Sequence, residues 1–159
     1  MKYRLKEIDC TKFETNKTQL NNGTIVNIKY HSGSLEFQSP KLIIHELLKE
    51  NDHEYIVLEL LNTEACKTFY LKVMEIENYF SKKSEFNLKS VFNENHVTVK
   101  IPFRNKNPLI KIYKDEQLFN YYHLTVGMKI ICLLGIDKIW INNFNEQSYH
   151  LIIKEIMIT

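Results

Sequence analysis

The sequence predicts a mainly antiparallel α+β protein or a β-barrel, and three observations support this prediction. Several short stretches alternate apolar and polar residues, which is typical of strands with one buried face. One stretch, at about residues 63–81, repeats apolar residues at helical spacing. The run from Leu124 to Thr159 reads as strand, bend, tryptophan strand, polar loop and strand. A small barrel ends in this way, so we predict about seven strands and one amphipathic helix.

Bulk composition limits the class of protein. The chain has 159 residues with 44% hydrophobic and 25% charged residues, as expected of a globular domain that needs no metal or disulfide. We therefore predict a single domain over residues 1–159, with residues 1–23 as an N-terminal arm or an extra strand. No apolar run reaches the length of a membrane helix, and the N-terminus lacks a signal peptide's apolar region. We expect a protein that is neither secreted nor membrane-bound.

Cysteine usage and net charge are both weak signals here. Cys10, Cys66 and Cys132 are far apart and form no CxxC pair, which argues for reduced thiols rather than a zinc site or disulfides. The net charge is +2, with a pI of about 8.3. This charge is too small to indicate a nucleic-acid partner by itself, so any basic surface has to come from clustering.

The N-terminal half contains three predicted strands. Residues 24–31 alternate cleanly, Ser32 and Gly33 form a tight turn, and residues 34–38 return, so we predict a hairpin that ends before Pro40. Residues 42–48 are apolar but fit no single type of element. Residues 54–61 predict a further strand, nearly continuous in Ile, Val and Leu.

The predicted helix begins after Thr63, a residue type that caps helix N-termini. Its apolar positions fall on one face of a helical wheel; these are Ala65, Phe69, Val73, Ile76 and Phe80. One amphipathic helix of roughly four turns follows from this spacing.

The remaining elements before the C-terminal run are two strands and a loop. Residues 96–101 alternate as a strand that ends at Pro102, and a loop bounded by Pro102 and Pro108 follows. Residues 109–114 predict the next strand, with Ile110 and Ile112 on the face opposite Lys111 and Tyr113. We find no internal repeat and no linker.

The motifs of common enzyme classes are missing from the sequence. The four glycines form neither GxGxxG nor a P-loop, and the six histidines show neither HxxxH nor HExxH spacing. We therefore predict a protein that is not an enzyme and that uses no cofactor and no metal.

Lysines and aromatic residues recur on the predicted outward faces of strands and in the loop between them. A cationic groove that follows phosphates, together with rings that stack on bases, is how proteins hold single-stranded nucleic acid. The alternative is an ordinary solvated sheet face, with the tryptophan ring in the core. The predicted nucleic-acid-binding residues are Lys29, Lys100, Phe103, Arg104, Lys106, Lys111, Tyr113 and Trp140.

The order of these motifs resembles a viral protein family. Ile25–Tyr30 followed by Gly33–Pro40 resembles the hairpin and the leucine-x-leucine-glutamine-threonine-proline signature of the single-stranded-DNA-binding proteins of nucleocytoplasmic large DNA viruses. That group contains the swine fever and mimivirus-like agents. The resemblance covers about residues 24–158 and continues through the lysine-bearing strand before Pro102, the Gly127-opened strand, Ile139-Trp140 and Tyr149–Ile156.

This resemblance implies an OB-like antiparallel β-barrel that coats single-stranded DNA during viral replication, recombination or repair. The partner would be single-stranded DNA or RNA, and self-association or binding to replication proteins would accompany it. The site of action would be the host cytoplasm, where such viruses replicate, or the nucleus. The alternative function is a non-enzymatic structural or protein-interaction barrel of a virion or replication complex, which docks a partner through a sheet edge.

Overall fold

The computed structural model describes residues 2–83 and 88–159. The strands are β1 (Lys2–Tyr3), β2 (Phe13–Leu20), β3 (Gly23–Tyr30), β4 (Leu35–Gln38), β5 (Leu42–Glu50), β6 (His53–Leu60), β7 (Phe92–Asn93), β8 (His96–Ile101), β9 (Phe103–Arg104), β10 (Asn107–Pro108), β11 (Lys111–Lys114), β12 (Gln117–Leu118), β13 (Lys129–Ile136), β14 (Lys138–Asn142), β15 (Gln147–Tyr149) and β16 (Leu151–Ile158). The helix is α1 (Glu64–Lys83), and three 3₁₀ turns cover Leu5–Glu7, Cys10–Lys12 and Tyr121–His123.

Five of these strands close a barrel. β13 pairs with β5, β5 with β6, and β6 with β8, all antiparallel. β8 then pairs in parallel with β16, and β16 returns antiparallel to β13. β5 and β16 each carry a bulge, at His45 and Lys154, and such bulges bend strands so that a sheet can close. Alternate side chains point inward and are fully buried; they include Leu42, Ile56, Leu58, Val97, Val99, Ile130 and Leu151.

A second sheet of four strands, in the order β15-β14-β3-β2, extends from the barrel. The predicted hairpin between residues 24–31 and 34–38 is wrong, although both strands exist. Tyr30 and Gly33 form one isolated bridge, after which β3 pairs with β2 and β14 while β4 pairs with β1 and β13. Both strands bury apolar residues in the common core, Ile28 on β3 and Leu35 and Phe37 on β4, while they pair with different neighbours.

Helix α1 fills the space between the two sheets. The Thr63 hydroxyl accepts a hydrogen bond from the Cys66 amide at 3.2 Å, which is the predicted N-cap. Phe69 and Val73 are fully buried, and the Phe80 ring lies 5.0 Å from that of Phe13 on β2. Each such apolar side chain contributes about 1.5–3 kcal/mol when it is buried. The amphipathic helix predicted from residue spacing is therefore confirmed, two residues longer at its C-terminus.

The N-terminal segment packs on the body as a short strand and two turns. Lys2 and Tyr3 pair in parallel with β4, and the Tyr3 ring meets the Tyr30 ring edge-on at 4.8 Å. The Lys72 ammonium on α1 donates a hydrogen bond to the Ile8 carbonyl at 3.1 Å. The N-terminal segment thus contacts β4, β3 and α1.

The described chain has more strands than the seven that the sequence predicts, because several pairings are only two residues long. Residues 42–48, which the sequence left unassigned, belong to β5. The segment between Pro102 and Pro108 is a small hairpin of β9 and β10, and its turn residues Asn105 and Lys106 both have positive φ.

Candidate nucleic-acid interface

The outer wall of β6 and β8 gathers polar and aromatic side chains onto one face. Ile56, Leu58, Val97 and Val99 point inward and are fully buried, so the residues between them point outward. Tyr55 on β6 lies directly opposite Lys100 on β8 in the strand register. These two strands are the second and third of the barrel, whose outer face binds oligonucleotides in OB folds.

Three residues form the centre of this wall. The Tyr55 ring lies 5.6 Å from the His150 ring, which precedes β16. Lys100 is half-buried; desolvation, together with the charge of Lys138, lowers the pKa of its ammonium group. Burial and the neighbouring Lys100 charge lower the pKa of His150 to about 4, so that imidazole is neutral near pH 7. Burial also raises the pKa of the Tyr55 phenol.

The second sheet continues this surface through β14. Lys138 and Trp140 are two residues apart on β14 and therefore share one face. The Lys138 charge acts on both Lys100 and His150, so this end of β14 lies beside the barrel wall. The cationic and aromatic side chains of the two sheets thus form one surface, which we call the barrel face; its members are Tyr55, Lys100, Lys138, Trp140 and His150.

Lys29 lies on the same side of the second sheet as Trp140. Ile25 is the register partner of Trp140, and Lys29 is four residues further along β3, so the three side chains share a face. Lys29 is exposed, with Glu14 opposite it on β2. The predicted residues Lys29, Lys100 and Trp140 therefore fall on one continuous side of the protein.

The loop between β14 and β15 adds an aromatic residue that the sequence analysis did not select. The Phe144 side chain is 83% exposed at the tip of this hairpin. The Asn142 side-chain oxygen accepts hydrogen bonds from the backbone amides of Phe144 and Glu146, at 2.9 and 3.0 Å. The signal in the sequence was a large aromatic residue within a polar turn. An apolar side chain at such a position does not stabilise the fold.

Phe103, Arg104 and Lys106 lie on the β9–β10 hairpin, which begins just after the strand that carries Lys100. The Phe103 ring is half-buried against Tyr121 at 5.8 Å, so it is part of the local packing. Arg104 and Lys106 are exposed. The hairpin therefore places two of the predicted cations at the end of β8, next to the barrel face.

Lys111 and Tyr113 occupy a different part of the barrel wall. On β11 they pair in register with Glu155 and Met157 of β16. Tyr113 lines a groove of about 1120 Å³ between the N-terminal segment and the outer sides of β13 and β16. Lys2 forms an ion pair with Glu155 at 3.7 Å in this groove. The register partners of Lys100 and Lys111 on β16 are Ile152 and Glu155, so the two lysines lie about 10 Å apart along that strand, and Tyr113 faces the groove.

The described cysteines are buried in the core rather than placed in a site. Burial raises the pKa of Cys10 to about 11 and that of Cys132 to about 12, so both thiols are protonated near pH 7.

Within residues 2–83 and 88–159, no three His, Cys, Asp or Glu side chains are arranged to hold a metal ion. In the same ranges, no helix combines the length and apolarity that crossing a membrane requires.

A small closed barrel of five strands with one helix belongs to the OB-like class, and the fold predicted from sequence is confirmed. Among solved structures, the chain is similar to gp2.5, a single-stranded DNA binding protein encoded by bacteriophage T7. The match has a TM-score of 0.56 and 11% sequence identity, and covers 79% of this chain and 86% of the phage protein. At this identity the likeness shows the fold. No family model and no curated protein matches the sequence, so the viral family remains a prediction.

Proposed function

We propose that this protein binds single-stranded DNA without regard to sequence, as a binding protein rather than an enzyme. The observation that carries the proposal is the barrel face: Tyr55 and Lys100 lie on the wall that OB folds use for oligonucleotides, and Lys138 and Trp140 continue that surface on β14 of the second sheet. The similarity of the fold to that of a phage single-stranded DNA binding protein supports it.

The chemistry of the barrel face suits a single strand better than a duplex. Lysines contact phosphates and release their counterions, while exposed rings stack on unpaired bases of any sequence. Lys100 is already half-buried, so a phosphate beside it would compensate the charge that burial penalises. Phe144 at the loop tip and Arg104 and Lys106 on the β9–β10 hairpin extend the same surface at its edges.

The biological setting forms the second half of the proposal. We infer that binding serves replication, recombination or repair of viral DNA, in the host cytoplasm or nucleus. The sequence resemblance to proteins of large DNA viruses and the structural similarity to a phage protein both support this setting. Single-stranded RNA is the other ligand that the same surface could take.

The test is fluorescence anisotropy with a labelled single-stranded oligonucleotide of about 30 bases, long enough for at least one OB-fold site. Titrations at two salt concentrations, with an unlabelled duplex as competitor, separate specific preference from general charge attraction. We expect binding that weakens with salt and survives the duplex competitor. An absence of binding at low salt would overturn the proposal.

Matched variants locate the surface. Lys100→Ala should weaken binding and flatten the salt dependence by about 0.7 in log–log slope, the value for one lost phosphate contact on a single strand. Lys67→Ala removes an equivalent charge from the exposed side of α1, away from the barrel face, and should leave affinity unchanged. Equal losses in both variants would mean that only net charge matters.

A second candidate function is a protein-interaction barrel, which the groove beside Tyr113 favours. Its floor is apolar, with Ile131, Leu133 and Met157 facing outward from β13 and β16. Such a surface suits a polypeptide better than a phosphate chain. If oligonucleotide binding fails, this groove is where a protein partner would be sought.

A further inference from the structure

Four of the six histidines lie on or beside the barrel wall that we propose for DNA. His96 points outward from β8, four residues before Lys100. His53 opens β6 and His150 precedes β16, and the charge of His53 contributes to the lowered pKa of His150. His45 is the unpaired residue of the β5 bulge, and its ring lies 4.2 Å from that of His96. Since histidine changes charge between pH 5 and 8, protonation would change the charge of this wall.

The His45–His96 pair is the strongest part of this pattern. The bulge between Ile44 and Glu46 leaves His45 without a register partner, so its ring reaches across β6 to the ring of His96 on β8. Two imidazolium rings at this distance repel each other unless an anion lies between them or beside them. A phosphate group provides that anion and accepts hydrogen bonds from both rings.

The charged groups around the pair are carboxylates. Glu46 follows His45 on β5, Glu59 is the register partner of His96 on β6, and Glu94 lies in the turn before β8. The Asn95 amide donates a hydrogen bond to the Glu59 carboxylate at 3.4 Å. With neutral histidines, this end of the wall repels phosphate. Protonation of the two rings offsets two of these three carboxylates, so the repulsion of an approaching phosphate falls.

His150 behaves differently from the pair. Burial, the charges of Lys100, His53 and Lys138, and the opposing Asp137 set its pKa at about 4, so it stays neutral from pH 5 upward in the free protein. It therefore serves as a neutral neighbour of Tyr55. The His45–His96 pair lies at the other end of β8, about 13 Å from Lys100 at the rise of a β-strand.

We propose that the His45–His96 pair is a proton-dependent phosphate contact, through which acidification tightens the binding of single-stranded DNA. This inference rests on the proposed function. It assigns regulation to the same surface: near neutral pH the strand is held at the Lys100 end, and at lower pH the contact extends along β8 to His96. Each bound strand then takes up protons, so affinity rises as pH falls through the range in which histidine titrates.

The experiment measures affinity for the single-stranded 30-base probe by anisotropy at about pH 5.5 and about pH 8, each over a range of salt. For the unmodified chain we expect binding to tighten by roughly tenfold at the lower pH, with a salt slope steeper by about 0.7 for each protonated ring that contacts a phosphate. The variant His45→Gln with His96→Gln should bind at pH 8 as before and lose most of the tightening.

The control is His31→Gln with His123→Gln, which removes two rings from a turn and a 3₁₀ segment outside the wall. It should retain the full pH effect. Thermal unfolding checks that both double variants fold, and His45→Gln alone, at an exposed bulge position, serves if the double variant does not.

The outcomes are distinct. A pH effect that survives in the His45/His96 variant, or that is lost equally in the control, overturns the phosphate contact and leaves DNA binding intact. Binding that is the same at both pH values overturns it as well. Failure to bind at either pH overturns the proposed function and this inference together.

Discussion

The indole ring of Trp140 lies directly on the backbone of Gly23, between the adjacent strands β14 and β3 of the second sheet. A β-carbon built on Gly23 would lie 2.7 Å from the Trp140 Cη2 atom and 2.3 Å from the Ile141 carbonyl oxygen. Only glycine therefore lets the ring approach β3 so closely. Trp140 as a whole is half-buried, and it belongs to the barrel face.

Replacing this glycine should displace the ring. We expect Gly23→Ala to lower the free energy of unfolding by about 1–3 kcal/mol, because the carbonyl and the indole must both move. Trp140 is the only tryptophan, so its fluorescence reports the movement directly. Urea unfolding and the emission maximum are the two measurements.

Gly33→Ala is the matched control for that substitution. A β-carbon added to Gly33 would have the Tyr30 carbonyl oxygen as its nearest neighbour, at 3.8 Å, which is an ordinary contact. Stability and emission should both stay close to those of the unmodified chain. If Gly23→Ala behaved in the same way, the close approach of the indole would be mistaken.

Glu77 on α1 is a buried carboxylate that joins the helix to two other segments. It accepts hydrogen bonds from the Tyr149 hydroxyl at 2.5 Å, the Ser90 hydroxyl at 3.1 Å and the Val91 amide at 3.3 Å. All three bonds end on Oε2, so Glu77→Gln keeps an oxygen for these donors but replaces the charged acceptor with a neutral, weaker one. We expect a loss of about 1–3 kcal/mol in the free energy of unfolding, measured by urea titration.

A double-mutant cycle with Tyr149→Phe tests whether the two side chains act together. Both are buried and in direct contact, so the combined loss should differ from the sum of the single losses by about 0.5–3 kcal/mol. Additive losses would show that Glu77 is held chiefly by Ser90 and Val91.

Tyr149 also predicts how stability depends on alkaline pH. Burial, followed by the Glu77 charge, raises the pKa of Tyr149 well above the value of a free tyrosine. Above about pH 10 the unfolded chain loses this proton while the folded chain keeps it, so stability falls as pH rises. Its contribution is complete below that pH.

Tyr149→Phe should reduce the alkaline slope by about 1.4 kcal/mol per pH unit, the effect of one proton. The measurement is urea unfolding at a series of pH values from about 9 to about 11.5, bracketing the tyrosine pKa of about 10. The remaining slope has a second source in Tyr121, whose pKa is raised by burial and by its hydrogen bond to Glu54. An unchanged slope would mean that Tyr149 ionises as readily in the folded chain as in the unfolded one.

The elements were predictable where local spacing decides them. The helix from Thr63, the strand of residues 96–101 and the Trp140 strand follow from patterns within a few residues. The pairing of β3 with β14 rather than with β4 was not predictable in this way. It depends on contacts between residues more than 100 positions apart in sequence, and alternation within one strand gives no information about such contacts.

The residues of the candidate site were likewise predictable only where local spacing decides their position. An outward lysine on a strand can be recognised from alternation, which is how Lys100 and Lys111 were both selected. Alternation does not say which strands flank the one that carries the lysine. Lys100 lies opposite Tyr55 on β6, whereas Lys111 lies opposite Glu155 on β16. Phe144 was overlooked because it lies in a turn, where neither the strand nor the helix periodicity applies.

The two lysines and their neighbouring tyrosines can be compared directly. Tyr55→Leu with Lys100→Ala alters the barrel face, whereas Tyr113→Leu with Lys111→Ala alters the groove beside β16. We expect the first pair to weaken single-strand binding by about 2–4 kcal/mol, the sum of one stacked base and one charge contact. The second pair should change affinity little. Anisotropy titrations of the two variants decide between the barrel face and the groove, and the reverse order would transfer the binding surface to the groove.

Phe144 gives the sharpest test of the surface, because its side chain is 83% exposed and contributes little to the fold. Phe144→Ala should leave thermal stability unchanged and weaken single-strand binding by about 1–3 kcal/mol, the value of one stacked base. Leu71→Ala removes an exposed apolar side chain from α1 instead and should affect neither property.

Asn142 extends this test from the ring to the loop that presents it. Asn142→Ala removes the acceptor of the Phe144 and Glu146 amides, so the loop loses its fixed shape while Phe144 remains. We expect an intermediate loss of affinity, since a mobile ring must be ordered before it can stack on a base. Amide hydrogen exchange at residues 143–146 measures the loss of order directly. If exchange accelerated while affinity stayed the same, Phe144 would lie outside the path of the strand.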